Sequence, residues 1–161
     1  GNGFDGGPAS LALGSRPTGD ARLYDVTKQV LGMPYAWGGG HGSTPGPSQG
    51  IHDGGGPADQ AGDYNKIGLD CSGLSRYALW KAYGIDIGGT SQAQYASGTP
   101  VSNPVAGDLV FPKGSFGSDG PGHVQVYLGN GQVLEAPSSG QTVKISPLQG
   151  GSQFRRFVQA A

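Results

Sequence analysis

Two blocks dominated by glycine and proline divide this chain and limit where it can build regular structure. The first, residues 1–19, reads GNGFDGGPASLALGSRPTG; the second, residues 38–67, reads GGGHGSTPGPSQGIHDGGGPADQAGDYNKI. Glycine carries a high entropic cost in regular structure, and proline lacks the N–H that a helix interior or a central strand needs. The 33 glycines and 12 prolines follow no G-X-Y period and no internal repeat, which excludes a collagen-like chain. The first block reads as a flexible arm or linker on the domain surface, with Phe4, Leu11 and Leu13 as its anchors. The second reads as a long loop, nearly empty of apolar residues besides Ile51, Tyr64 and Ile67. Structureless loops of that length are uncommon in compact domains and are often functional.

Between the blocks the pattern turns helical. Leu23, Val26, Thr27, Val30 and Leu31 share one helix face, with Asp20 as N-cap and Gly32 as the stop. Pro34 ends any helix, so Tyr35 and Trp37 lie on an extended segment or turn; Trp37 is expected in the core. After the second block comes Gly68-Leu69-Asp70-Cys71-Ser72-Gly73-Leu74-Ser75, which holds the only cysteine in 161 residues. Leu74, Tyr77, Ala78, Leu79, Ala82 and Tyr83 continue at helical spacing up to Gly84. Cys71 therefore stands at or just before the start of a helix of roughly three turns. Free N–H groups and the positive end of the helix dipole favour an anion there, hence the nucleophilic thiolate. A lone cysteine excludes an intrachain disulfide and a multi-cysteine zinc site.

Thr90 or Ser91 caps a short helix through Ala96, stopped by Gly98, and Pro100–Pro104 reads as a loop. The remainder reads as about five strands: 108–111, 123–128, 132–136, 142–145 and 154–158. Val124, Val126 and Leu128 alternate with His123, Gln125 and Tyr127, and Gly129-Asn130-Gly131 supplies a tight turn. Helices first and antiparallel strands after them describe an α+β domain over 20–161, with N-terminal helices packed on a five- to six-stranded antiparallel sheet. A net charge of −1 with no basic segment gives no support for a nucleic-acid partner, and no apolar run reaches the roughly 18 residues of a membrane span.

A nucleophilic thiolate needs a general base, and the base needs an acceptor to orient it. The hairpin turn sets His123 roughly opposite Glu135, or one step off, so that Glu135 can hold one imidazole nitrogen while the other faces Cys71. The bland alternative is a surface His–Glu pair beside a structural cysteine, and the residues alone leave both readings standing. His41, His52 and Asp53 in the second block match no recognised metal-ligand spacing and read as solvated loop residues; no metal and no cofactor is expected.

Five motifs, in order, resemble the NlpC-type family of bacterial cell-wall cysteine peptidases. They are Pro34-Tyr35-Ala36-Trp37-Gly38-Gly39, Asp70-Cys71-Ser72-Gly73-Leu74, Gly107-Asp108-Leu109-Val110-Phe111, Gly122-His123-Val124 with Tyr127-Leu128-Gly129, and Leu134-Glu135-Ala136-Pro137. The resemblance covers residues 20 to about 160. It implies a minimal papain-like fold and a peptidoglycan hydrolase that cuts stem peptides, typically between γ-D-glutamate and meso-diaminopimelate or lysine. By the same resemblance Cys71 is the nucleophile, His123 the base and Glu135 the third polar residue. Tyr35 matches a tyrosine near the active site, and Asp70 and Ser72 match residues bordering the substrate groove. It further implies a secreted or wall-associated monomer acting on peptidoglycan stem peptides. Two features depart from the family pattern: the span from Trp37 to Cys71 is long, and Gln125 stands where relatives often have a small residue. The alternatives are an amidase acting on another cell-wall amide bond and a catalytically silent peptidoglycan-binding module.

Overall fold

Asp20 caps helix α1 (Ala21–Val30), its carboxylate accepting from the backbone N–H groups of Arg22 and Leu23. The structure is a computed structural model that describes residues 20–158; the arm expected over 1–19 lies outside the described residues. Leu23, Val26 and Val30 bury the expected face of α1, and Leu31 and Gly32 end it. Pro34 and Tyr35 then run extended, bridging Thr142 on one side and Leu69 on the other. Trp37 is 39% exposed, against the expectation of core packing. The chain turns at Trp37, and Asp63 and Ile51 bond its backbone N–H and C=O instead of the core holding its ring.

The second glycine-proline block is more structured than a loop. It holds strand β1 (Ser48–Gln49), helix α2 (Pro57–Ala61), a 3-10 turn at Asp63–Asn65, and strand β2 (Ile67–Gly68) antiparallel to β1. Carboxylates organise it where apolar residues are scarce. Asp53 accepts from the N–H groups of Gly56, Ala58 and Asp59, and Asp59 accepts from those of Asp53 and Gly55. Asp63 is fully buried and accepts from Trp37 N–H and Ser139 Oγ, at 3.0 and 2.6 Å. Hydrophobic periodicity is blind to such bonding, which is why the block reads as structureless.

Helix α3 (Cys71–Tyr83) is the centre of the molecule. Asp70 is its N-cap, accepting from Gly73 N–H, and Gly84 closes it at φ +76° in the left-handed region. Leu74, Ala78, Leu79 and Ala82 are buried, and α3 packs between α1 and the sheet. Helix α4 (Ser91–Ser97) is capped by the Thr90 side chain and stops at Gly98.

The strands that follow are β3 (Thr99–Val101), β4 (Leu109–Phe111), β5 (Phe116–Gly117), β6 (Gly120–Pro121), β7 (Gln125–Gly129), β8 (Gln132–Glu135), β9 (Lys144–Pro147) and β10 (Gln153–Arg156). Six of them form one antiparallel sheet in the order β3-β10-β4-β7-β8-β9, and β5 pairs with β6 separately. The α+β class and the six-stranded sheet are therefore as expected. Two details differ. Thr99–Val101 is an edge strand and not a loop, because Pro100 can lie on an edge where no ladder N–H is needed. The last strand also inserts between β3 and β4, a pairing that no local pattern announces.

Candidate active site

Cys71 occupies the first position of α3 and is partly exposed. The Asp70 cap fixes how α3 begins and hence where the sulfur points. Asp70 Oδ1 accepts from Gly73 N–H at 2.8 Å, and Oδ2 from Gly38 N–H at 3.2 Å, so the carboxylate also ties the Trp37–Gly38 turn to the helix start. Gly73 makes that approach feasible. A methyl group there would run into the backbone of Gly39 and Gly40, so only glycine lets the loop lie on the first turn of α3.

His123 and Glu135 meet, but not by direct opposition. Val126 pairs with Leu134 and Tyr127 with Val133, so the register sets Gln125 opposite Glu135. His123 lies two residues further along, just ahead of β7, and shares the same sheet face. It reaches Glu135 diagonally, with Nε2 2.8 Å from Oε1. The remaining ring nitrogen, Nδ1, is the one left for Cys71, which interacts with the imidazole. Burial works against a charged His123, yet the bonds to Cys71 and Glu135 outweigh it and push the imidazole up to about 9. Burial likewise opposes an ionised Glu135. The bonds from His123, Ser146 and Gln125 prevail and hold its carboxyl down at about 2. The pair is thus held as imidazolium and carboxylate across neutral pH.

Tyr35 stands beside this set. Burial, followed by the charges of Cys71, Asp70 and Asp63, pushes its phenol well above the ordinary tyrosine range, so its hydroxyl keeps its proton as a donor. Ser72 is buried, with Oγ 3.4 Å from Asp70 Oδ1. Asp70, Cys71 and Ser72 therefore lie at the start of α3 with Tyr35 beside them, and Glu135 joins them through His123.

Four more residues belong to this region, of which only Gln125 stood out in the sequence, and then as a departure from the family pattern. His41 Nε2 lies 2.8 Å from Asp70 Oδ1 and 3.2 Å from Ser72 Oγ, so the second block contributes a side chain beside the cysteine. Arg76 holds it there, Nη1 donating to the carbonyls of Gly40 and Gly42 while Nε and Nη2 grip Asp86. Gln125 and Ser146 donate to Glu135 at 2.9 and 2.6 Å. Gln125 was findable, since period two puts it on the His123 face; the other three depend on contacts distant in sequence. His52 is engaged elsewhere, bonding Asp59 and stacking on Tyr64. Among the described residues no group of three His, Cys, Asp or Glu side chains could hold a metal ion.

Known proteins resemble this chain in sequence and fold. Peptidoglycan endopeptidase RipB of Mycobacterium tuberculosis is 38% identical over 158 residues, covering 89% of this chain and 59% of RipB. The chain therefore spans little more than half the length of that relative. The structure of RipB, described as a peptidoglycan hydrolase, superposes with a TM-score of 0.67 at 34% identity, covering 96% of this chain and 74% of that one. The bifunctional muramidase/DL-endopeptidase CwlT of Bacillus subtilis is 33% identical over 131 residues, 78% of this chain and 32% of CwlT. RipD of M. tuberculosis, described as a non-catalytic NlpC/p60 domain protein adapted to peptidoglycan binding, superposes at 0.66 with 30% identity, covering 86% and 97% of the two chains. The family pattern itself runs over residues 32–161, which include the whole of α3 and the sheet: the chain belongs to the NlpC/P60 family.

Proposed function

We propose that this chain is a cysteine endopeptidase that hydrolyses peptidoglycan stem peptides at the bond between γ-D-glutamate and the diamino acid, meso-diaminopimelate. The observation that carries this reading is His123, bonded to Glu135 through Nε2 and interacting with Cys71, which opens a helix. The names of the relatives support the substrate class, and CwlT's supports the D,L bond.

In the reaction the Cys71 sulfur, its proton on His123, attacks the amide carbonyl carbon. Backbone N–H groups of the first turn of α3, with the Tyr35 hydroxyl, stabilise the oxyanion. The C–N bond breaks as the imidazolium hands its proton to the leaving amine. Water, deprotonated by His123, then attacks the thioester carbon, releasing the γ-glutamyl carboxylate and restoring the thiol. Asp70 and Ser72 border the groove, and residues 38–67 wall it. Residues 20–161 act as the catalytic domain, as a monomer, outside the cell membrane where the polymer lies.

The test is incubation of the protein and its Cys71→Ala variant with purified peptidoglycan and soluble muropeptides, with products read by mass spectrometry. New N-terminal diaminopimelate from the native protein alone is the expected result. Freed L-alanine termini on intact stem peptides would instead assign an amidase. Absence of any cleavage, from folded protein that still binds the polymer, would assign a binding module of the RipD kind.

A further inference from the structure

Two strand segments flanking β8 turn three donors toward one carboxylate on it. His123, ahead of β7, and Gln125, on it, both reach Glu135 Oε1, at 2.8 and 2.9 Å; from β9, Ser146 Oγ reaches Oε2 at 2.6 Å. Sheet register dictates this grouping. Gln125 stands opposite Glu135, and Ser146 lies two residues beyond Lys144, the partner of Glu135 on β9.

Gln125 is 2% exposed, and its Oε1 has no hydrogen-bond partner among the described residues. Leaving an amide oxygen buried and unpaired is costly, and leucine or methionine would fill the same space without that cost. What glutamine adds is the Nε2–H on Glu135. Hydrophobic packing does not explain the residue; the bond to the carboxylate does.

We propose that Gln125 and Ser146 are positioning residues that clamp the Glu135 carboxylate against His123 Nε2 and so hold His123 as the oriented, proton-bearing partner of Cys71. This rests on the reading of Cys71, His123 and Glu135 as the reacting set. A glutamate's terminal torsion is soft, so an unclamped carboxylate samples orientations that do not meet the imidazole. With both oxygens occupied by donors, Glu135 remains an ionised acceptor despite its burial. The titratable groups facing His123 are Cys71 from α3 and Glu135 from β8; the charged neighbours beyond them are Asp70 at the helix cap and the exposed Lys144 on β9.

The test uses shape-matched variants. Ser146→Val removes the hydroxyl, Ser146→Thr keeps it in nearly the same volume, and Gln125→Met removes the amide donor. The first readout is the titration of the His123 imidazole by NMR, which does not require turnover. The second is kcat and KM on muropeptides as a function of pH. Ser146→Val and Gln125→Met are expected to shift the His123 titration to lower pH. They should also cut kcat roughly tenfold, as loss of one hydrogen bond to a charged group implies, with KM unchanged. Ser146→Thr should restore both readouts. An unmoved His123 titration in folded Ser146→Val, or identical behaviour of the Val and Thr variants, would overturn the proposal and leave these residues a role in sheet stability alone. If the native protein shows no Cys71-dependent cleavage, the functional reading fails while the imidazole titration still decides the clamp. If Gln125→Met does not fold, the Ser146 pair decides it.

Discussion

Glu135 and His123 illustrate how opposing effects settle at single residues. His123 is half-buried and Glu135 buried, and burial disfavours both charged forms, yet Cys71 and then Glu135 raise His123 while His123, Ser146 and Gln125 hold Glu135 down. The consequences for pH have opposite signs. His123 is raised from 6.5 to about 9, so its pairing contributes fully below about 6.5 and is lost as pH rises through about 9. Glu135 is lowered from 4.5 to about 2, so its contribution is complete above about 4.5 and lost as pH falls toward about 2. Replacing Glu135 by Gln keeps the shape and removes the charge. The alkaline limb of kcat/KM is expected to move to lower pH in that variant, with kcat down by roughly 100-fold or more. In thermal melts followed from pH 5 to pH 2, the native protein should lose stability more steeply than Glu135→Gln, because only the native protein has this carboxylate to protonate.

At the scale of elements, the site depends on how closely a loop can lie on α3. Gly73→Ala places a methyl group against the Gly39 carbonyl and the Gly40 backbone, neither of which can swing away as a side chain would. The expected cost is at least about 2 kcal/mol, although alanine is the better helix former. Slower labelling of Cys71 by an alkylating reagent should accompany it, since the helix start must shift; unchanged stability and labelling would refute the close approach. Asp63 plays the corresponding part for the second block. Its buried carboxylate joins the Trp37 turn to Ser139, two segments far apart in the chain. Asp63→Ala strands those donors and should cost on the order of 2–3 kcal/mol in denaturant melts, with earlier proteolysis within residues 38–67.

For the molecule as a whole, the sheet is closed by its last strand. β10 lies between β3 and β4, and Arg156 on it grips the buried Asp108 with two bonds, at 2.8 and 2.7 Å. Asp108 also accepts from Val105 N–H, which explains why a carboxylate precedes β4 at all. Arg156→Met should destabilise by about 3 kcal/mol, because it leaves the buried Asp108 carboxylate without its counter-charge. Changing both residues, Asp108→Asn with Arg156→Met, should recover part of that loss in a double-mutant cycle. Much of this architecture was legible beforehand. The caps at Asp20, Asp70 and Thr90, the face of α3, the alternation around Val124–Leu128 and the Asn130 turn are local, written in spacing and in the chemistry of neighbouring residues. So was the placing of Cys71 at a helix start, and the motif order carried His123 and Glu135 with it. Tertiary structure decided what depends on residues far apart in the chain. It set the diagonal reach of His123 and the place of β10 in the sheet, exposed Trp37, folded the second block around Asp53, Asp59 and Asp63, and brought His41 and Ser146 to the site. Periodicity records which face of an element is buried, whereas a carboxylate's partners and a strand's neighbours are chosen only when the whole chain packs.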